Sequence, residues 1–476
     1  MALLVFFIFW WMLPNKLFTD PTSFIVEDAG GNLLNASIAA DGQWRFPHNN
    51  VIPQKFTDCI TTFEDKRFFY HPGIDVIAIT RSAMANLRHK RTTQGASTIT
   101  MQVARLACKN KDRSIWNKIK ETTLALRMEM SFTKKEIIAL YAANAPFGSN
   151  VVGLDAAAWR YFGRSAAKLS WGEMATLAVL PNAPALVHPG RNRQTLLAKR
   201  NVLLDKLFIS GKMSAENCGL AKLEPLPVKP LALPQAAPHL LERFKKEYRK
   251  SAITKITTTL DGYLQRSVAG ILNLQQQSLQ GNGINNICAL VLDVESGSTL
   301  AYVGNIYQPE KKELESDVDV IVSRRSPGST LKPVLYAAML SDGSILPNAL
   351  VPDIPTDISG YAPQNFDLGF DGAVPANKAL SRSLNIPAVR LLQQYKYQRF
   401  YEVLQQSGIT TLNRPADAYG LSLILGGCEV SMWDIAGLYA SFARTLNHQQ
   451  KNRGIQDPND FHPPKYFADQ IINKPV

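Results

Sequence analysis

Two groups of residues in this 476-residue chain have the types and spacing to do chemistry. In the C-terminal half, Ser329 and Lys332 follow the turn Pro327-Gly328 and would share one face of a helix. A lysine amine within reach of a serine hydroxyl can take its proton, provided burial keeps the amine neutral, and the serine can then attack an acyl carbon. Ser383 and Asn385 form a second polar pair further along. In the N-terminal half, Glu64 and Glu121 are separated carboxylates. Chemistry at an anomeric carbon needs one group to take the proton of the attacking hydroxyl and another to steady charge at the leaving group. If a phosphate leaves, lysine and arginine replace the general acid. Between Arg81 and Lys120 lie ten Lys or Arg and one acid, Asp112, so a phosphate-bearing substrate suits the stretch between the two carboxylates. Ser97, Thr98, Thr100 and Gln102 could bind sugar or phosphate oxygens. The plainer reading stays open: carboxylates on solvated helices, a basic helix face, and a structural His71.

Composition narrows the frame. Hydrophobic residues at 46% and charged residues at 19% describe a folded chain, long enough for two or three domains. A net charge of +13 points to an anionic partner: nucleic acid, an acidic lipid surface or a phosphorylated substrate. Cys59, Cys108, Cys218, Cys288 and Cys428 have no Cys-x-x-Cys or Cys/His spacing, which argues against a disulfide framework or zinc site and for free thiols. The apolar run Ala2–Leu13 is short for a bilayer core of about 30 Å, has no basic flank ahead of it and no small-residue cleavage site. Trp10 and Trp11 sit where an interface belt would, so a short signal anchor is expected, with a buried core helix as the alternative.

The elements that must position these residues can be read coarsely. Phe24–Asp28, Gly30-Gly31 and Asn32–Leu34 predict a hairpin, and a helical pattern runs from about Pro53 to Gly211. Thr133/Glu136 and Ser170/Glu173 have capping-box spacing. Proline at 225, 227, 230, 234 and 238 predicts an extended linker or crossing. Lys255–Asp261 reads as a strand followed by a helix to about Ser278. Ala289–Val294 and Thr299–Val303 predict a second hairpin, with helical patterns around 330–342, 376–407 and 430–446. Strands then helices suggest an α/β or α+β domain whose late strands are missing.

Three patches carry a family resemblance. They are Glu64-Asp65-Lys-Arg-Phe68-Phe-Tyr-His71-Pro-Gly73-Ile-Asp75, Gln94-Gly95-Ala-Ser97-Thr98-Ile-Thr100-Met-Gln102, and Arg113-Ser-Ile-Trp-Asn-Lys118-Ile-Lys-Glu121. They resemble the peptidoglycan glycosyltransferase domain (family 51) of bifunctional class A penicillin-binding proteins. Ala157–Gly163 and Leu180–Pro184 add to it, while Trp44–Pro47, Met101–Leu106, Ala145–Gly148 and Leu421–Gly427 look like the 1C type. In the second half, Ser329-Thr-Leu-Lys332 and Ser383-Leu-Asn385, with Arg325–Gly328, Tyr361–Phe366 and Ser381–Ala388, resemble the family's serine transpeptidase. The likeness runs from about residue 20 to about 446.

The resemblance implies a multidomain chain: a mainly α, lysozyme-like glycosyltransferase domain, then an incomplete α/β (α+β) transpeptidase domain. The expected boundaries are a short anchor at 1–19, the glycosyltransferase at 20–220, a Pro-rich connection at 221–270 and a C-terminally truncated transpeptidase at 271–476. Glu64 would be the general base on the acceptor sugar's 4-hydroxyl, and Glu121 the second carboxylate assisting departure of undecaprenyl pyrophosphate. Lys118 and Arg127 would hold the pyrophosphate; Asp65, His71, Ser97, Thr98 and Gln102 would serve the substrate. Where many members carry Arg-Lys before the second Glu, this chain has Asn117-Lys118, with Lys120 close by. Ser329 would be the acyl nucleophile, Lys332 its base, Ser383 a proton relay and Asn385 the holder of the substrate amide. Lipid II would be polymerised to β-1,4 glycan at the bacterial inner membrane, by a single-pass protein with periplasmic catalytic domains. Its partners would be lipid II, the growing strand and the inner membrane, with weak β-lactam binding and no nucleic acid. No cofactor is required and no metal cluster is expected, although a divalent cation could accompany the pyrophosphate. The family's Lys-Thr/Ser-Gly strand is found nowhere up to Val476, so weak or absent penicillin acylation is expected. Two other readings compete: a degenerate, non-catalytic scaffold or truncated gene product, and a lysozyme-like hydrolase, which would need neither the basic run nor an anchor.

Overall fold

The computed structural model describes residues 10, 13–14, 16–89, 97–109, 114–182, 192–449, 453–455 and 457–467. Most of the apolar N-terminal run lies outside these residues, as do Gln94–Ala96, Lys111–Arg113 and Ala183-Pro184. Among the described residues no helix is long and apolar enough to cross a membrane. The chain divides into two compact units. The first comprises Met1–Glu27, Asn32–Gln235 and Phe244–Ile256; the second comprises Asp28–Gly31, Ala236–Arg243 and Thr257–Val476.

The first unit opens with the expected hairpin, β1 (Ile25–Glu27) antiparallel to β2 (Leu33–Ala36), and a short β3 (Trp44–Arg45) that runs parallel to β4 (Val151–Val152). The rest is helical: α1 (Gln54–Glu64), α2 (Val76–His89), α3 (Ile99–Ala107), α4 (Ile115–Glu129), α5 (Lys134–Asn144), α6 (Leu154–Phe162), α7 (Trp171–Val179), α8 (Arg193–Ile209) and α9 (Ala215–Leu223). Both capping boxes are present, Thr133 with Glu136 at the start of α5 and Ser170 with Glu173 at the start of α7.

α7 is apolar nearly all round and buried along Met174–Val179, as a helix at the centre of a core must be. Gly172 lets it approach α9: a Cβ there would sit 2.7 Å from the Ala221 carbonyl oxygen. α1 packs on α7 and α8 through buried Phe56, Cys59 and Ile60, which fixes where its last residue, Glu64, points. α3 packs on α4 and α5. The Pro-rich stretch lies along this unit as extended chain, its carbonyls at Leu226, Pro227 and Leu231 accepting hydrogen bonds from Arg193 and Arg160.

α10 (Pro238–Glu247) and β5 (Lys255–Thr257) lie where the chain passes between the units. The second unit continues with α11 (Gly262–Leu279), the antiparallel hairpin β6 (Ala289–Leu292) and β7 (Thr299–Val303), and α12 (Lys332–Ser341). A second antiparallel pair, β8 (Leu350–Asp353) with β9 (Gly372–Pro375), precedes α13 (Ala376–Ser381), α14 (Asn385–Tyr395), α15 (Tyr397–Gln406) and α16 (Met432–Gln449). α11 and α16 pack on the β6–β7 hairpin, giving the expected mixture of helix and sheet. The helical pattern over 376–407 resolves into three helices, because Ser383 and Lys396 take positive φ angles of 56° and 78° and stop the ladder. Pro387 is tolerated because it falls in the first turn of α14, where its missing N–H costs little. All five cysteines are free; Cys59, Cys218 and Cys428 are buried, Cys288 is half-buried and Cys108 is exposed.

Candidate active sites

The first site gathers around Glu64. Its Oε2 accepts a 2.8 Å hydrogen bond from Gln102 Nε2, and its Oε1 a longer one, 3.4 Å, from Asn182 Nδ2. Burial raises the Glu64 pKa, while the two amides and the nearby charge of Arg105 pull it back and Asp65 adds to the rise. The carboxylate opens on a cavity of about 680 Å³ whose wall includes Ser97 and Thr98. Lys66, Arg67, Arg81 and Lys206 line the same cavity beside Glu64, Asp65 and Asp75; Arg67 is paired with Asp75 and Asp65 with His71, so Lys66, Arg81 and Lys206 are the cations that would meet an anionic ligand there.

The neighbouring polar residues are spent on holding this geometry. Asp65 is buried; both of its oxygens lie 3.0 Å from His71 Nε2, and Oδ2 also accepts the Ile99 N–H at 3.1 Å. Thr98 caps α3 by accepting from Met101 N and donates its own hydroxyl to the Gly73 carbonyl at 2.6 Å. Gly73 has φ 88°, and a Cβ would lie 3.0 Å from the Ala125 carbonyl oxygen, so this close crossing requires glycine. These bonds lock the end of α1 to the start of α3. Gln102, four residues after Thr98 on the same face, is thereby aimed at Glu64. Asp65, His71 and Gln102, expected to serve the substrate, make these hydrogen bonds within the protein, and Asp65 and Thr98 also line the cavity.

Lys118 joins the second carboxylate to the first group. Its Nζ donates to Ser97 Oγ and lies 3.6 Å from Glu121 Oε2, and Glu121 is buried. Arg127, two turns further along α4, is not brought to this group. Its guanidinium donates to Ser131 Oγ and to the Trp10 carbonyl, and stacks on the Trp10 ring at 4.2 Å. Sequence reasoning missed Asn182 and the ion pair Arg67–Asp75; the Leu180-Pro-Asn stretch was the one available signal for Asn182. Asp65, His71 and Asp75 each place a donor atom within 4.8 Å of the others. The set reads as an ion-pair network, because Arg67 takes both Asp75 oxygens and Ala78 N–H shares one of them. A cation bound there would have to break the Arg67–Asp75 pair and the His71–Asp65 contact.

The second site is built on Ser329 and Lys332. Ser329 lies in a 3₁₀ turn, Gly328–Leu331, and is exposed. The turn is seated from below: Ser326 Oγ donates to the Gly426 carbonyl at 2.8 Å, and a Cβ on Gly426 would come within 2.7 Å of Gly328 N. Lys332 begins α12 and is buried. Its Nζ donates to the Ser383 carbonyl at 2.7 Å, to Ser383 Oγ at 3.2 Å and to Asn385 Oδ1 at 2.7 Å. Burial pulls its pKa down to about 8, which makes a neutral amine accessible near physiological pH. The expected Lys332–Ser329 hydrogen bond is not made: among the described residues the lysine's donors go to Ser383 and Asn385, because it points across to that segment. Lys332, Ser383 and Asn385 are therefore brought together, and Ser329 lies in the turn that leads into Lys332; among the described residues its hydroxyl makes no hydrogen bond.

Comparison with known proteins follows the same division. Residues 33–208 match the family model described as transglycosylase, and residues 287–447 that of a penicillin-binding protein transpeptidase domain. The chain is 36% identical over 435 residues to penicillin-binding protein 1C of Escherichia coli K12, covering 91% of this chain and 55% of that protein. With penicillin-binding protein 1F of Bacillus subtilis 168 it is 26% identical over 455 residues, covering 90% of this chain and 60% of that one. A crystal structure of penicillin-binding protein 1A from Haemophilus influenzae matches with TM-score 0.42 and 19% identity, over 89% of this chain and 68% of that chain. The chain thus spans 55% and 60% of the length of the two curated relatives.

Proposed function

The chain belongs to the bifunctional, class A penicillin-binding proteins of the 1C type, with a transglycosylase domain ahead of a transpeptidase domain, and from that premise we propose that its first unit polymerises lipid II. Glu64 takes the proton of the acceptor's 4-hydroxyl as that oxygen attacks the donor's anomeric carbon. The bond to undecaprenyl pyrophosphate breaks with inversion, giving a β-1,4 glycan. Lys118, with the basic groups around it, meets the charge that develops on the departing phosphate, and Glu121 assists from beside Lys118. A divalent cation could bind with the pyrophosphate. The reaction takes place at the bacterial inner membrane, with the protein anchored by a single span and both units periplasmic.

The observation that carries this reading is the half-buried Glu64 carboxylate. It is held by Gln102, raised in pKa by burial, and opens on a cavity lined by Lys66, Arg67, Arg81 and Lys206. Labelled lipid II incubated with the chain should give polymer, and Glu64→Gln should lower the rate by about 10²- to 10⁴-fold, the usual worth of a positioned general base. An intact wild-type fold that makes no polymer in detergent or in vesicles would favour a non-catalytic scaffold instead.

The second unit is proposed to be a serine acyltransferase, because Lys332, whose pKa burial lowers to about 8, starts the helix that follows Ser329 and is held by Ser383 and Asn385. Fluorescent penicillin should label Ser329, and Ser329→Ala should remove the label; a label that persists in Ser329→Ala would overturn that part.

A further inference from the structure

We propose that Asn365, anchored on Asp353, is a positioning residue for the acyl-transfer site: it fixes the Ser383–Asn385 segment that in turn holds the Lys332 amine. This rests on reading Ser329, Lys332, Ser383 and Asn385 as that site. Asn365 is 3% exposed and all of its hydrogen-bonding capacity toward the protein is used. Oδ1 accepts the backbone N–H groups of Asn385, at 2.9 Å, and Ile386, at 3.3 Å. Nδ2 donates to Asp353 Oδ1 at 2.8 Å and to the Gly369 carbonyl at 3.0 Å. The partners dictate the orientation of the amide, since two N–H groups need the oxygen and two oxygens need the N–H₂.

Those two N–H groups are the first of α14, donors that a helix leaves without partners. Leu384 stands at the N-cap position and has no side-chain acceptor to give. Asn365 supplies the cap from a distant loop. Asp353 is 1% exposed, ends β8, and accepts Asp371 N–H on its other oxygen at 3.0 Å, so the cap is tied to the β8–β9 pair. On the far side of the segment, Arg382 pairs with Asp371. Between these ties Ser383 is held at φ 56°, a conformation a serine adopts only when its surroundings impose it. In that conformation its carbonyl and hydroxyl, with Asn385 Oδ1, take all three donors of the Lys332 ammonium. Asn385 is itself steadied by donating to the Gln364 carbonyl at 2.9 Å. The amine's place is therefore set by a chain of contacts that begins at a buried carboxylate the reaction never touches.

Trace acetylation with acetic anhydride across a pH series, read at Lys332 by peptide mass spectrometry, tests this without requiring any turnover. In the wild type the midpoint should fall near 8. Asn365→Ala should loosen the covering segment, admit water and move the midpoint upward, toward the ordinary lysine value of about 10.4. Asn365→Asp alone faces one carboxylate with another and should do the same. Asn365→Asp combined with Asp353→Asn restores one donor and one acceptor across the pair and should bring the midpoint back toward 8. A cooperative unfolding transition by circular dichroism in each variant reports that the fold survives. A midpoint that stays at the wild-type value in both single variants overturns the proposal, as does a double variant that does not return. A simple helix cap would cost stability without moving the Lys332 midpoint. Should Asn365→Ala fail to fold, the double variant and Asn365→Asp still decide. Penicillin labelling of Ser329 separates the premise from the proposal: midpoints that move as expected while Ser329 is never labelled leave the positioning role standing and remove the acyl-transfer reading.

Discussion

Burial governs what Glu64 can do. A base must be ionised to accept a proton, and a carboxylate whose pKa is raised reaches that state only at higher pH. The acid limb of the polymerisation rate should therefore lie above the ordinary glutamate value of about 4.3. Gln102 opposes the rise by donating to the ionised form at 2.8 Å, so Gln102→Leu should move the limb further up and lower the rate most at acid pH. Part of that loss should return at alkaline pH, where Glu64 ionises without help. A pH–rate profile of the two proteins checks this, and a limb that stays in place or moves down would falsify it. The same pair marks how far the sequence could be read at this scale. Residue types and motif context picked out Glu64, Glu121, Ser329 and Lys332, because a strand of text shows which groups can carry charge or a proton. It could not show that Gln102, Asp65 and Thr98 turn inward to hold Glu64, α3 and the Gly73 crossing, since that depends on which faces of α1 and α3 meet. Nor could it show that Lys332 prefers Ser383 to Ser329, a choice made by the segment that packs over the amine.

At the scale of elements, local rules were legible and long-range ones were not. The capping boxes at Thr133 and Ser170 are encoded within four residues, and both occur where the spacing put them. Thr133→Ala should destabilise the first unit by about 1 kcal/mol, the usual cost of losing an N-cap. Ser170→Ala should cost more, because the same hydroxyl also donates to Glu224 and so ties α7 to the chain after α9. Denaturant titration of the two variants gives the ranking, and equal losses would contradict the added tie. The helical stretch over 376–407 shows where locality ends. Its apolar spacing is that of helices throughout, yet it breaks at Ser383 and Lys396. The break at Ser383 is imposed by Asn365, Asp371 and Lys332, residues that lie far from it in sequence. Hairpins fared better because their signals, Gly30-Gly31 and the Glu295–Ser298 turn, lie between the strands they join.

At the scale of the whole chain, the two chemistries rest on separate cores. One cluster of buried side chains runs from Ile25 to Leu226 and encloses Phe56, Phe68 and Met174; another runs from Leu331 to Leu438 around Val389, Leu392 and Phe400. Among the described residues none belongs to both clusters, so a near-isosteric change at one site is expected to leave the side chains of the other cluster in place. Effects of substitutions without shared partners add within about 0.3–0.5 kcal/mol, which converts to roughly a twofold change in rate at most. Glu64→Gln should thus lower polymerisation by about 10²- to 10⁴-fold while leaving penicillin labelling of Ser329 within about twofold of wild type, and Ser329→Ala should remove the label while leaving polymerisation within the same margin. Measuring both activities on both variants gives four numbers. A several-fold loss of polymer in Ser329→Ala, in a protein whose unfolding transition is unchanged, would mean that the two units share more than a peptide chain.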